Sequence, residues 1–178
     1  NSSGWDVGKS GKLDLETIRN AASQVGWATE ETHLKNLKSP NELVRYWGAI
    51  GLNAHKEKIK NETKKALDHA LKDTSPSVRI EAANTLILRG ESHRALSVLI
   101  KDLEHENLIV VTHAARTIEL LGNKVGNAKE AMQKCLTRAH KIRPPDLSPV
   151  IVLPGDQDMA MFVGFSCQAF LNNLQSKR

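Results

Sequence analysis

Aromatic residues are scarce in this sequence, at only 4% of its 178 residues. A core with so few rings must be filled mainly by Ala, Leu, Val and Ile, and this favours closely packed helices over a β-sandwich. Apolar residues make up 40% of the chain and charged residues 25%, which is ordinary for a globular domain. The chain is long enough to bury a core without disulfides or metals.

Cysteines are few and long apolar runs are absent. Cys135 and Cys167 cannot build a disulfide framework and have no CxxC spacing, so we predict two buried free thiols, with a single bridge as the remote alternative. No membrane span or signal segment is predicted, because no long apolar run and no charged-then-apolar opening are present. Residues 1–12 are polar, rich in Gly and Ser and without Met; we expect a flexible linker, a tag remnant or a cut from a longer protein.

One sequence pattern, which we call the recurring phrase, occurs three times. Each copy begins with Leu and has Val seven residues later. A pair of small residues follows four and five positions after the Val, and a large aliphatic residue eight positions after it. The Val-to-Val spacings are 34 and 32 residues, which indicates a repeat array. The copies are Leu37, Val44, Gly48, Ala49 and Leu52; Leu71, Val78, Ala82, Ala83 and Leu86; and Leu103, Val110, Ala114, Ala115 and Ile118.

The spacing inside each copy predicts a helix. The Val, the small pair and the large aliphatic residue follow i, i+4, i+5 and i+8, which places them on one helix face. In the second copy, Ser75 predicts the N-cap, Pro76 the first turn and Gly90 the C-terminal end. The small pair predicts the close approach of another helix.

A second amphipathic pattern follows each copy, in residues 57–73, 92–106 and 127–141. We therefore predict helix–turn–helix units in which the recurring phrase is the first helix of each pair. Stacked units share a continuous core, so the predicted fold is all-α, an α-solenoid (α–α superhelix) of about four to five helical pairs. We expect this domain to span residues 13–178.

The two ends of the array are less regular. A weaker copy carries Ala21, Ala22 and Val25, and a degenerate unit closes the chain at 158–174, where larger residues suggest a cap. Between the third copy and this last unit, residues 142–158 contain four prolines. Prolines break helices, so we predict an inserted loop there.

The helical pairs, with Val-Arg before the small pair, resemble HEAT repeats of the short, bacterial phycocyanobilin-lyase-like type. The first two copies look like the helical C-terminal region of some bacterial sulfatases, where V-R-Y-W-A-x-x-G-L is followed by D-x-S-P-x-V-R-x-x-A-A. This resemblance covers roughly residues 13–175. The matching residues are Val44, Arg45, Tyr46, Trp47, Gly48, Gly51 and Leu52, then Asp73, Ser75, Pro76, Val78, Arg79, Ala82 and Ala83.

The resemblance implies a chemistry that lies elsewhere. In such sulfatases an upstream α/β domain binds calcium and uses a formylglycine made from a C/S-x-P-x-R motif. Here Cys135 is followed by Leu-Thr-Arg and Cys167 by Gln-Ala-Phe, so no nucleophile carries over. The resemblance therefore implies the non-catalytic portion of a periplasmic or secreted sulfatase, with calcium expected only in the parent's catalytic domain.

The sequence itself predicts no catalytic residue, cofactor or metal site. None of its seven histidines forms HExxH or pairs with a cysteine at ligand spacing. Residues 8–12 lack the spacing of a phosphate-binding loop and have no strand before them. Any enzymatic activity would belong to a parent protein and not to this chain.

Arg45 and Arg79 are the first candidate binding residues, because each follows the Val of its copy. Repeated cations at one register form a ladder in a solenoid. In the structural interpretation they bond to an acidic residue or carbonyl of the neighbouring unit; in the functional one they contact anions on a concave face. The third copy has Val111 at this position, which weakens the ladder.

Tyr46 and Trp47 come next. Core packing at the boundary with the preceding unit, a carbohydrate platform and docking against an upstream domain all remain open for this pair. Trp5 and Trp27 could add to such docking.

Lys56, Lys60 and Lys64 lie in the basic run 56–65, which holds five lysines against two glutamates. Such a run is usually a solvated helix face, and its functional interpretation is contact with a polyanion. The net charge of +5 permits a sulfated glycan or nucleic acid without demanding either.

Three functions remain. The first is an accessory domain that packs on the catalytic domain of a sulfatase or shapes its substrate groove. The second is a stand-alone scaffold that binds a protein partner, which predicts an exposed apolar stripe and not a basic one. The third, action on nucleic acid, is not expected, because stacking aromatic residues among the cations are missing.

Overall fold

The computed structural model describes residues 14–55, 58–145 and 155–175. Within these ranges the chain forms nine α-helices and one 3-10 segment, and no strand, so the all-α, α-solenoid prediction is confirmed. The elements are α1 (Leu15–Ser23), α2 (Glu30–Leu37), α3 (Glu42–Ala54), α4 (Asn61–Ala70), α5 (Pro76–Leu88), α6 (Ser92–Asp102), α7 (Leu108–Leu121), the 3-10 segment (Gly122–Ala128), α8 (Lys129–Ile142) and α9 (Asp156–Gln175).

The chain divides into two compact units, Asn1–Glu91 (unit 1) and Ser92–Arg178 (unit 2). The predicted linker 1–12 lies outside the described residues, and so do residues 146–154 of the predicted loop. At the edges of that loop, α8 continues to Ile142 and α9 begins at Asp156.

The recurring phrase is a helix–turn–helix corner, which corrects the predicted pairing. α2 packs against α3, α4 against α5 and α6 against α7. The Val-bearing helix is thus the second helix of each pair, and the prediction that it is the first was wrong. The reason lies in the leading leucines Leu37, Leu71 and Leu103, which lie at or just beyond the end of the preceding helix and are buried. The phrase therefore spans the turn inside a packed pair.

Each of these turns is closed by the same hydrogen bond. The residue two after the leading Leu accepts a bond from the backbone N–H two residues further on. The pairs are Ser39 Oγ with Asn41 N at 3.2 Å, Asp73 Oδ1 with Ser75 N at 2.8 Å, and His105 Nδ1 with Asn107 N at 3.0 Å. This local bond stops the preceding helix and aims the next one.

Helix α5 begins and ends as its sequence predicts. Ser75 is the N-cap, Pro76 occupies the first turn, and Gly90, with φ of 90°, follows the C-terminus. Ser75 itself makes no side-chain capping bond. The hydrogen bond that orders this turn comes instead from the carboxylate of Asp73.

The small pairs are buried, as predicted for close helix contacts. Ala49, Ala82, Ala83, Ala114 and Ala115 have no exposed surface. In unit 1, the first position of the pair shows why a small residue is needed. A Cβ added to Gly48 would overlap the backbone nitrogen of Leu37 and lie 2.8 Å from the carbonyl carbon of Asn36. The backbones of α2 and α3 therefore meet at this glycine.

His33 of α2 packs into the same contact. Its ring occupies the space where a Cβ of Gly51 would lie, and only 1% of the residue is exposed. Within the described part of the chain, Nδ1 of His33 has no hydrogen-bond partner. Burial lowers the pKa of His33, and the nearby His55 lowers it further. The imidazole is therefore held in its neutral form.

We expect His33 to make unit 1 less stable as the pH falls from 7 towards 5. The unfolded chain takes up a proton at the ordinary histidine pKa of about 6.5, whereas the folded chain does so only at lower pH, so acidification favours unfolding. His33→Gln should flatten this part of the pH dependence, measured by urea denaturation at a series of pH values. His69→Gln, at an exposed position of α4, is the control. A slope that is the same in His33→Gln and the parent would contradict the assignment.

In unit 2, α9 packs against α7 and α8. The degenerate unit predicted at 158–174 is the single helix α9, and the large residues that suggest a cap are partly buried and partly exposed. Phe170 is buried, whereas Phe162 and Phe165 are 45% and 58% exposed. Much of the aromatic surface of α9 is thus available to solvent.

Candidate binding surface

Arg45 is used inside the fold. Its Nε and one terminal nitrogen donate to the two carboxylate oxygens of Asp73, at 2.7 and 2.8 Å. The other terminal nitrogen donates to the carbonyls of Ser39 and Pro40, at 3.1 and 3.0 Å. One guanidinium group therefore joins the α2–α3 turn to the α4–α5 turn, in the bidentate geometry that makes such pairs strong.

The pair is well shielded from water, with 16% of the Arg45 side chain and 12% of the Asp73 side chain exposed. Burial alone would raise the pKa of Asp73. Hydrogen bonds from Arg45 and the Ser75 N–H, with the charges of Arg45 and Arg79, outweigh it and lower that pKa. The hydrogen bond to Asp73 raises the pKa of Arg45. Both groups are held in their charged forms.

Arg79 repeats part of this arrangement one copy later. It donates to the carbonyls of Asp73 and Thr74, at 2.9 and 3.3 Å. These carbonyls stand in the same positions of their turn as those of Ser39 and Pro40 in the first. The geometry fits the structural interpretation of the arginine ladder, in which the cations bind the turns of the repeats.

The third turn receives its arginine from another helix. Val111, which replaces the arginine, is buried at 1% exposure. Arg138 of α8 donates instead to the carbonyls of Leu103 and His105, at 3.3 and 2.7 Å. No sequence pattern marks Arg138, because its position lies outside the recurring phrase.

A stripe of partly or fully exposed residues runs along each Val-bearing helix. We call it the open stripe, and it consists of the residues 6, 10, 13 and 17 positions after the leading Leu. This spacing places the four on one helix face. None of the twelve is buried. They are Leu43, Trp47, Ile50 and Ala54 on α3; Ser77, Glu81, Asn84 and Leu88 on α5; and Ile109, His113, Arg116 and Leu120 on α7.

The open stripe is apolar throughout on α3, whereas on α5 and α7 it combines large apolar residues with polar and charged ones. In unit 1, α3 packs beside α5, and Leu88 is 43% exposed. In unit 2, Ile109 and Leu120 are 43% and 70% exposed, and Arg116 between them is paired with Glu119 of the same helix. Large apolar side chains that recur at one exposed register are typical of an interaction surface.

The comparison with protein families agrees with the pairing of the helices. The family model of HEAT repeats matches residues 30–119, which begins at the first residue of α2 and ends inside α7. The chain belongs to the HEAT-repeat family. No curated protein matches it. The matched segment of the HEAT array contains the three pairs α2–α3, α4–α5 and α6–α7, each with its recurring turn.

The described part of the predicted lysine site lies at the start of α4, within the α4–α5 HEAT pair, and is interspersed with acids. Lys64 pairs with Glu91 at 3.0 Å, and the backbone N–H of the exposed Lys60 donates to Glu30 at 2.8 Å. The neighbouring Glu62 of α4 pairs with Lys38 at 3.2 Å. Lys56 lies outside the described residues. The described part of this run therefore carries mixed charge.

Tyr46 and Trp47 stack edge to face, with ring centroids 5.3 Å apart and planes at 66°. Both are half-buried. Burial raises the pKa of Tyr46, with a further contribution from the charge of Glu81. The pair thus lies at the margin of the unit 1 core, and Trp47 also belongs to the open stripe. Trp27, in the α1–α2 turn, is 74% exposed, and Trp5 lies outside the described residues.

In the ranges that the structure describes, no three His, Cys, Asp or Glu side chains are grouped so as to hold a metal ion. Of the helices described, none combines the length and the hydropathy that crossing a bilayer requires.

Proposed function

We propose that this HEAT-repeat chain is a non-catalytic scaffold that binds a protein through the open stripe. The observation that carries the proposal is the exposure of Leu88, Ile109 and Leu120 at recurring positions of the second helices. Leu88 belongs to unit 1, and Ile109 and Leu120 belong to unit 2, so each unit by itself presents exposed apolar positions to a partner. Large exposed apolar side chains gain most when a partner removes them from water.

The charged residues favour a protein over a polyanion. Arg45 and Arg79 donate to Asp73 and to turn carbonyls, and Lys64 pairs with Glu91. A phosphate or sulfate group would have to displace these contacts. For this reason we rank a sulfated glycan below a protein partner, and nucleic acid below both.

We also propose which protein the scaffold binds. The sulfatase-like motif includes Arg45, Asp73, Ser75 and Arg79, and in unit 1 these residues form one hydrogen-bonded corner. On this proposal, the partner is the catalytic domain of a sulfatase on the same polypeptide, outside the cytoplasm and with its own calcium. The native reading frame tests it. An upstream α/β domain with C/S-x-P-x-R supports it, and a frame that begins near Asn1 refutes it without touching the broader proposal.

Leu88→Arg and Leu120→Arg should each weaken partner binding by about tenfold or more, since an interface centre tolerates an unpaired charge poorly. Immobilised parent and variant chains would capture proteins from nuclease-treated extract of the source organism. The bound partner would then be identified and its affinity measured by calorimetry. Both substitutions are at exposed positions, so circular dichroism should be unchanged.

Gln133→Arg, an exposed position on α8, adds the same charge outside the open stripe and should bind like the parent. Equal binding by all three variants would place the interface elsewhere. If no protein is captured and the immobilised chain instead retains heparin or nucleic acid added in a separate experiment, the polyanion function would be favoured over the proposed one.

A further inference from the structure

Helices α8 and α9 run side by side in a register that brings the two cysteines of the chain together. At one end, Arg143 binds Asp158 with a nitrogen–oxygen distance of 2.9 Å. At the other, Sγ of Cys167 lies 4.0 Å from Sδ of Met132. Cys135 is nearly one helical turn beyond Met132, on the same side of α8. Cys135 and Cys167 therefore lie on the facing sides of α8 and α9, close enough for each thiol to alter the ionisation of the other.

Both thiols are free and enclosed. Cys135 is 5% exposed and Cys167 is fully buried. Neither belongs to the open stripe or to the arginine-bound turns, so their proximity is unexplained by the proposed function. A contact between two nucleophilic side chains on separate helices is a potential covalent link.

Cys135 also borders a cleft. The cleft lies beside α6 and α8, has a volume of about 420 Å³, and is lined by Cys135, Lys134, Arg138, Glu104 and Glu130 among others. A molecule the size of hydrogen peroxide can enter such a space. Cys167 lines no part of it, so access favours Cys135.

The charges around the pair distinguish the two thiols. The neighbouring Cys167 thiol lowers the pKa of Cys135, burial opposes this, and the charge of Arg138 lowers it further. The neighbouring Cys135 thiol, together with burial, raises the pKa of Cys167. Cys135 therefore ionises more readily than Cys167, and it is the thiolate that reacts with peroxides.

We propose that Cys135 and Cys167 form a dithiol site that a hydroperoxide oxidises to a disulfide between α8 and α9. The Cys135 thiolate attacks one peroxide oxygen, and the O–O bond breaks. The released hydroxide takes a proton to become water, and Cys135 is left as a sulfenic acid. The Cys167 sulfur then attacks the Cys135 sulfur, the S–O bond breaks, and the Cys167 proton leaves with the hydroxide as a second water.

In total, one hydrogen peroxide is reduced to two waters while two thiols become one disulfide. The bridge locks the contact between α8 and α9, and a dithiol reductant reverses it. Unit 2 therefore carries a disulfide that forms on oxidation and breaks on reduction, independently of partner binding at the open stripe.

The test treats the reduced chain with hydrogen peroxide and counts thiols after denaturation. We expect both thiols to disappear together, the intact mass to fall by two hydrogens, and one peptide pair joined through Cys135 and Cys167. Dithiothreitol should restore the reduced mass. The oxidised form should have the higher thermal midpoint, because the bridge restricts the unfolded chain.

Two variants separate the roles of the thiols. Cys167→Ser should stop at the sulfenic acid, which dimedone traps at Cys135, whereas Cys135→Ser should lose its remaining thiol at least about tenfold more slowly than the parent. The parent measurement stands even if a variant fails to fold. Thiols that persist after the methionines are oxidised would overturn the proposal. So would a disulfide formed only between chains, or equal reactivity in Cys135→Ser.

Discussion

Asp73→Ala should lower the free energy of unfolding by about 3 kcal/mol. The change leaves Arg45 with a shielded charge and no carboxylate, because its bidentate partner is gone. It also leaves the N–H of Ser75 without its acceptor at the start of α5. Removing one member of a buried pair is far more costly than the pair's net contribution, and this drives the effect.

Urea denaturation followed by circular dichroism measures the loss. Glu62→Ala is the matched control, because it removes the acid of the Lys38–Glu62 pair, whose side chains are 57% and 70% exposed. That control should change stability by less than about 1 kcal/mol. If Asp73→Ala and Glu62→Ala lower the free energy of unfolding equally, the shielded Arg45–Asp73 pair stabilises unit 1 no more than an exposed pair does.

Asp73 should also make the stability of unit 1 sensitive to acid. The pKa of Asp73 is lowered in the folded chain, so its stabilisation is fully present above the unfolded value of about 4 and is lost as the pH falls through the folded value. Asp73→Asn should therefore resemble the parent more closely as the pH drops below 4. A difference between the two that is independent of pH would show that charge is not what Asp73 contributes.

Local regularities of the chain could be predicted from the sequence. The helix of Val78 and Leu86, its start at Pro76 and its stop at Gly90 follow from spacing and from backbone preferences, which act over a few residues. Which helix is first and which is second in each packed pair could not be predicted from the sequence. Leu37 could equally close one unit or open the next, and only its burial at the end of α2 decides that the phrase is an internal corner.

The candidate site was predicted less well than the fold. Arg45 and Arg79 stand out in the sequence, but their partners are distant in the chain or are backbone carbonyls, which no side-chain pattern reveals. Arg138 supplies the third turn from α8 and breaks the register. The open stripe carried a usable signal, since Leu88 and Leu120 share one position of the repeat. Their exposure, however, depends on which helix faces are covered.

Gly48→Ala should destabilise unit 1 by about 2 kcal/mol, although alanine is the better helix former by about 1 kcal/mol. The added methyl would overlap the backbone nitrogen of Leu37 and lie 2.9 Å from its Cα. Backbone atoms cannot rotate away as a side chain can, so α2 and α3 would have to separate. Since α3 packs against α1, α2 and α5, that separation would disturb the contacts of most of unit 1.

Gly164→Ala on α9 is the control that isolates this cause. There an added Cβ would lie 3.9 Å from the His140 ring and 4.0 Å from Leu136, which is ordinary packing distance. Its helix propensity should make it neutral or stabilising, while Gly48→Ala, in the same denaturation experiment, loses stability. If Gly→Ala lowers the free energy of unfolding at position 48 and raises it at position 164, the close approach of α2 and α3 is the reason that position 48 requires glycine. Equal stabilisation by both would mean that the two helices do not meet there, and the basis for pairing α2 with α3 would fail.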